Sequence, residues 1–191
     1  QRFTAYLRES APYEGNPFIS SRRAHLSGHT IRGYVRAIKT FWRWLEKEGF
    51  VVTNPLRSLP TPKAPQTIIP TFSEEQVKRL LGAAEKSREA TRNTAIVLLL
   101  FDTGIRLAEL TGLTLEDVDL ERGWAKVWGK GNKQRPVPFG SAAKRAVWRY
   151  LTSRPEPRPG VQAVFLSEDG RALTGSGVHQ MLKRLGKAAG V

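Results

Sequence analysis

From Thr30 to Glu48 apolar side chains return at helical spacing, as Ile31, Tyr34, Val35, Ile38, Phe41, Trp42 and Leu45, and draw one continuous stripe. The pattern predicts a long amphipathic helix. Gly49 suits the left-handed conformation that ends helices, and Asn54-Pro55 prevents continuation. Upstream, Arg2 to Glu9 reads as a shorter helix, followed by a loop from Ala11 to Gly28 rich in turn residues. Pro62, Pro65 and Pro70 then fall in a stretch, Thr61 to Thr71, with no helical period. Such a segment is stiff and extended, so it predicts a linker between two domains.

Beyond the linker, Ser73 and Gln76 stand at capping-box spacing, with Val77, Leu80, Leu81 and Ala84 as the buried face of the helix they open. Thr94 to Phe101 is apolar nearly all round, as befits a central helix packed on several sides, and Gly104 interrupts it just before Arg106. A further helix start is expected at Thr114. Trp124 to Trp128 instead alternates, which is strand patterning, and Gly129 to Asn132 supplies turn residues before a returning strand, Gln134 to Pro138. Pro136 and Pro138 lack N–H donors, which favours an edge strand. Helices are predicted from Ser141 to Leu151 and from Gly175 to about Lys187. The class is mainly α with a small β-hairpin: a helical domain over 1–61, a proline-rich linker over 62–72 and a larger domain over 73–191.

Charge narrows the function. The 191 residues carry 31 Lys and Arg against 17 Asp and Glu, a formal +14. Residues 1–61 hold 10 basic and 4 acidic side chains and residues 73–191 hold 20 and 13, so neither domain is responsible alone. Phosphate-bound counterions released by such a surface favour a polyanionic partner, and nucleic acid leads, although a basic surface also keeps proteins soluble by self-repulsion. Arg32, Arg36, Lys39 and Arg43 recur at intervals of four, three and four on another face of the long helix. Such a ridge is either an ordinary solvated face or a track for a phosphate backbone.

Cysteine is absent, which removes disulfides, thiolate nucleophiles and Cys-based zinc sites and fits a reducing, cytoplasmic setting. The longest apolar run, Ala95 to Phe101, is seven residues, far short of the roughly 20 of a membrane span. His25 and His29, near Arg22 and Arg23, read as polar surface rather than metal ligands, so no metal site is expected.

Two cations stand out. Arg106 follows the Gly104-Ile105 pair, and Leu107-Ala108-Glu109-Leu110 reads as a short helix that places Glu109 one turn away, where it can pair with the guanidinium and fix its direction. A fork so held matches two phosphate oxygens. Lys130 comes 24 positions later between two glycines, where the backbone can turn tightly and approach a ligand. Taken alone, Gly-Lys-Gly is more often an ordinary hairpin turn with a solvated lysine.

Together the segments are specific. Thr103-Gly104-Ile105-Arg106-Leu107-Ala108-Glu109-Leu110 resembles the first conserved box of the tyrosine recombinases, or phage integrases, of the Xer-like site-specific type. Gly129-Lys130-Gly131-Asn132-Lys133-Gln134-Arg135-Pro136-Val137-Pro138 resembles their lysine-bearing hairpin. Thr30 to Leu56 resembles the last helix of their core-binding domain, and Ser73 onward the opening of their catalytic domain.

The resemblance implies a helical core-binding domain and an α+β catalytic domain gripping opposite sides of double-stranded DNA. In the family a tyrosine attacks the scissile phosphate, giving a 3′-phosphotyrosine and a free 5′-hydroxyl, without metal, cofactor or small-molecule substrate. Arg106 would bind that phosphate, Lys130 would protonate the leaving 5′-oxygen, and Glu109 would support Arg106. Arg32, Arg36, Lys39, Arg43, Lys133 and Arg135 are the expected DNA contacts. Four protomers on two duplexes is the assembly implied.

The family's His-x-x-Arg motif and nucleophilic tyrosine find no match. His179 lacks an arginine three positions on, and Tyr6, Tyr13, Tyr34 and Tyr150 do not follow such a motif. Tyr150 is in register with Ala143, Ala146 and Val147, which predicts a packed ring with its hydroxyl at the surface. The expectation is a chain cut at its C-terminal side and at its N-terminal side, inactive by itself. The alternative is a non-catalytic DNA-binding protein derived from a truncated integrase. An RNA-associated helical domain would account for the charge but not for the pairing of Arg106 with Lys130.

Overall fold

The computed structural model describes residues 2–9, 26–64, 66, 68–129, 131 and 133–191. Lys130, Tyr13, Arg22, Arg23 and His25 lie outside the described residues. The chain separates into two compact units, Gln1–Pro70 and Thr71–Val191.

In the first unit, α1 (Arg2–Glu9) contacts α2 (Gly28–Lys47). The Ser27 hydroxyl accepts the Thr30 N–H at 3.1 Å and starts α2. At the other end Gly49 adopts φ 77°, which brings the Gly49 N–H to Glu46 O at 3.3 Å and the Phe50 N–H to Leu45 O at 2.9 Å. These two bonds satisfy carbonyls that the last helical turn leaves free. Asn54 then reverses the chain, its side-chain oxygen accepting the Leu56 N–H at 2.9 Å. Glu46 secures the returning segment by accepting the Asn54 N–H and the Arg57 guanidinium, both at 3.1 Å.

The predicted stripe on α2 is narrower than expected. Ile31 and Val35 are buried and Ile38, Trp42 and Leu45 half-buried, but Tyr34 and Phe41 are exposed. At about 100° per residue these two sit roughly 60–80° off the line through the others. Phe41, Trp44 and Phe50 form their own exposed row, with ring centroids 6.0 and 5.6 Å apart.

The second unit opens at Ser73, whose hydroxyl accepts the Gln76 N–H at 3.2 Å while the Gln76 side chain accepts the Ser73 N–H at 2.8 Å. The capping box therefore forms, and α3 (Glu74–Glu85) follows. At the centre runs α4 (Ala90–Thr103), packed on α3 and on α6 (Ser141–Ser153), with Ala95, Ile96, Val97 and Leu99 buried. Only its last turn departs from the apolar expectation, since Phe101 faces solvent. Between these helices come α5 (Leu107–Thr111) and an antiparallel sheet of β1 (Val118–Asp119), β2 (Trp124–Gly129) and β3 (Lys133–Pro138), in that order. Pro136 and Pro138 thus lie on an edge strand, as their missing donors require. The final helix, α7 (Gly175–Ala189), packs on α3. No helix among the described residues is long and apolar enough to cross a membrane.

One local expectation is shortened and another changes. Thr114 does start a helix, with its N–H and hydroxyl donating to Asp117 Oδ2 at 3.0 and 2.7 Å, but it is a single 3-10 turn, Leu115–Asp117, because β1 starts at once. Tyr150 is packed, but its hydroxyl is buried and accepts the Leu166 N–H at 2.8 Å while the ring stacks on Phe165 at 5.4 Å. Tyr150→Phe keeps the ring and strands a buried donor, which costs about 1–3 kcal/mol. Urea unfolding should register that loss, and one below about 0.5 kcal/mol, an ordinary surface effect, would contradict the assignment.

Candidate functional site

The site forms where α4 ends. Gly104 takes φ 58°, a left-handed stop, with its N–H bonded to Leu100 O at 2.9 Å. Ile105 then plugs into the core, and Arg106 leaves in extended conformation as the residue that opens α5. Burying Ile105 and extending Arg106 send the arginine away from the core. Glu109, in the first turn of α5, reaches back so that Oε2 accepts the Arg106 N–H at 2.8 Å and Oε1 accepts Arg106 Nη1 at 3.0 Å. A helix start with a free N–H also favours an acidic side chain there.

A third residue completes the cluster. Across the β2–β3 ladder Ala125 pairs with Val137, Val127 with Arg135 and Gly129 with Lys133. Opposed residues share a face and strand side chains alternate, so the apolar row Ala125, Val137 and Val127 ends in Arg135. Arg135 Nη1 donates to Glu109 Oε1 at 2.8 Å and Nη2 to Oε2 at 2.9 Å. Gly129 leaves the space for this fork, since a Cβ there would lie 3.0 Å from Arg135 Nη1 and 3.7 Å from Glu109 Oε1. Nearby, Asp102 Oδ2 accepts the Gly140 N–H at 2.8 Å and ties the end of α4 to the chain leaving β3.

Glu109 is thus saturated, and its side chain is only 3% exposed, against 68% for Arg106 and 43% for Arg135. The Arg135 bonds, then the Arg106 backbone N–H, hold the carboxyl well below its ordinary 4.5, at about 2, despite the opposing effect of burial. Glu109 in turn favours the charged form of Arg135 and raises its pKa. Arg106 gives one side-chain bond to Glu109, and among the described residues its other guanidinium N–H groups have no partner. A buried anion therefore anchors an exposed cation whose remaining donors face solvent.

Of the residues singled out by sequence, Arg106 and Glu109 meet as expected. Arg135, expected among the DNA contacts, gives both terminal nitrogens to Glu109, while Lys133 is exposed on the same side of the sheet. Lys130 lies outside the described residues, between Gly129 and Gly131. In the other unit Arg32, Arg36 and Arg43 are exposed, whereas Lys39 is half-buried and its Nζ donates to Leu59 O. Sequence reasoning missed the Arg135 fork, the space at Gly129 and the Asp102 tie. Strict alternation from Val137 back to Arg135 was the available signal for the first.

Residues 70–191 match the model of the phage integrase family. The chain belongs to that family. It is similar to tyrosine recombinase XerC of Azotobacter vinelandii, 37% identical over 168 residues, and of Alcanivorax borkumensis, 39% identical over 169. These alignments cover 86% of this chain and 56% and 55% of the two relatives, so the chain spans just over half their length. Among solved structures, the crystal structure of XerA recombinase is similar over 99% of this chain and 60% of its own, with 29% identity and a TM-score of 0.59. The Tn1549 transposon integrase in complex with transposon right end DNA gives a TM-score of 0.73 at 21% identity, covering 85% of this chain and 58% of that one. A lambda integrase dimer bound to a COC′ core site gives 0.70 at 17%, covering 86% and 59%. At those identities the last two establish the fold: a largely helical chain with a small antiparallel sheet.

The low carboxyl pKa has a stability consequence. A carboxyl depressed in the folded state contributes stability in full above its unfolded value, near 4.5, and loses it as pH falls toward about 2. Urea midpoints of the wild type and Glu109→Gln should differ most at pH 6–7 and converge toward pH 2. A difference that does not vary between pH 7 and pH 2 would contradict the arrangement.

Proposed function

We propose that this chain carries the DNA-binding and phosphate-binding parts of a site-specific tyrosine recombinase, which cuts and rejoins duplex DNA through a 3′-phosphotyrosine intermediate. One observation carries the reading: Arg106 is anchored through a buried carboxylate yet presents open donors to solvent. A pre-oriented guanidinium is what a phosphodiester gaining charge in its transition state requires, because no reorganisation is needed when the charge develops. Arg32, Arg36 and Arg43 on α2 support it by offering exposed cations to a duplex backbone. Lys39 is the weakest member of that ridge because Leu59 O already engages it.

In this reading Arg106 binds non-bridging oxygens of the scissile phosphate. An attacking tyrosine forms the new P–O bond, the P–O5′ bond breaks, and Lys130 delivers the proton taken up by the leaving 5′-oxygen. A 5′-hydroxyl from the partner strand later reverses the step. Tyr150 is not assigned the attack, since its buried hydroxyl is engaged with the Leu166 N–H. Double-stranded DNA is the partner, and four protomers on two duplexes the working assembly.

The test uses the protein expressed from its full reading frame and a duplex nicked beside the cleavage site, which traps the covalent adduct. Arg106→Ala is expected to slow adduct formation by on the order of 10²-fold or more, as removal of an oxyanion-hole donor does. Lys130→Ala should recover on a substrate whose leaving group is a 5′-thiol, because that group needs no proton donor, while Arg106→Ala should not. Absence of any adduct would remove the recombinase reading, and equal rescue of both variants would remove the division of labour.

A further inference from the structure

Arg135 turns its whole fork onto Glu109, at 2.8 and 2.9 Å, while Arg106 meets the same carboxylate through one nitrogen at 3.0 Å and its backbone N–H at 2.8 Å. The four bonds fill the positions at which a carboxylate accepts. Two guanidinium groups thus share one buried anion, and the cluster keeps one net positive charge. With Arg135 absent, Glu109 and Arg106 would form a neutral pair, and the two freed acceptor positions would draw the Arg106 fork inward, away from solvent.

We propose that Arg135 is a positioning residue, one that neutralises Glu109 so that the carboxylate anchors Arg106 without cancelling its charge toward a phosphodiester oxygen. The inference rests on Arg106 being the phosphate-binding group. It assigns Arg135 an effect exerted through Arg106, in place of a phosphate contact of its own. The local sequence fits this division. Gly129 is the residue whose missing side chain leaves room for Arg135 Nη1, and the strand register places Arg135 at the end of the apolar face instead of on the solvent face with Trp128 and Gln134.

Two other roles make different predictions: a direct DNA contact, or a clip that merely holds the hairpin on α5. Single-turnover cleavage of the nicked duplex by the full-reading-frame protein separates them when duplex affinity is measured alongside. Arg135→Gln is expected to slow cleavage at saturating DNA by on the order of tenfold, with affinity changed less than about threefold, the mark of an interaction that matters in the transition state. In the Arg106→Ala background the same substitution should cost little, because its route of action is gone. Adding Glu109→Gln to Arg135→Gln should restore part of the lost rate, since a neutral amide cannot cancel Arg106. Arg135→Lys, which keeps the charge but not the fork, should fall between wild type and Arg135→Gln, and it carries the test if Arg135→Gln does not fold.

An Arg135→Gln protein that becomes slower still when Glu109→Gln is added would make Arg135 a structural clip and overturn the proposal. So would an Arg135→Gln protein with normal saturated rate, weaker binding and a salt dependence shallower by about 0.9, the signature of one lost phosphate contact. Losses that multiply in the Arg106→Ala background would sink this inference alone. Arg106→Ala at wild-type rate would sink the phosphate-binding reading as well.

Discussion

Taking a carboxylate out of water requires nearby positive charge and hydrogen-bond donors, and Glu109 obtains both from two arginines that lie on different elements. That requirement organises the site. It pins the start of α5 to the inner face of the β-hairpin, so the stop at Gly104, the buried Ile105 and the register of β2 on β3 all bear on where one guanidinium points. The anchor is on a rigid scaffold: α4 runs through the core and ends at the site, and Asp102 ties that end to Gly140. A loop-borne arginine would have to be ordered on binding, whereas this one is held beforehand.

The first unit solves a simpler problem. A short helix and one long helix bury a narrow stripe, and the segment after Gly49 folds back through Glu46, Asn54 and Lys39. What remains exposed on α2 differs by direction, with arginines on one side and, on the other, Phe41 and Trp44, which Phe50 extends beyond the helix end. Only the arginines have chemistry that selects a polyanion.

Much of the fold was legible because local rules decided it. The α2 period, the Ser73 capping box, the apolar α4 and the alternation of β2 each depend on neighbours within a turn or a strand, and each element formed where expected. Features that depend on distant partners were harder to read. Tyr34 and Phe41 look like core until the number of helices packing on α2 is known, and β1 is two residues long, too short to alternate. Arg106 and Glu109 are three apart and could be paired from sequence, but Arg135 and Glu109 are separated by 26 positions and Gly140 and Asp102 by 38. The fork of Arg135 on Glu109 depends on the register of β3 against β2, which spacing along the chain does not reveal. The buried hydroxyl of Tyr150 depends likewise on Leu166, 16 residues on.

Glu109 holds both arginines yet leaves the remaining donors of Arg106 open to solvent. Nitrogen-15 spectra of arginine side chains, recorded while duplex DNA is added to this chain, test it most directly. In the free protein the Arg135 guanidinium, clasped at two points, should rotate slowly, and on adding DNA the Arg106 signals should shift while those of Arg135 stay nearly still. Movement of the Arg135 signals with Arg106 unchanged would mean that the wrong arginine has been assigned to the phosphate.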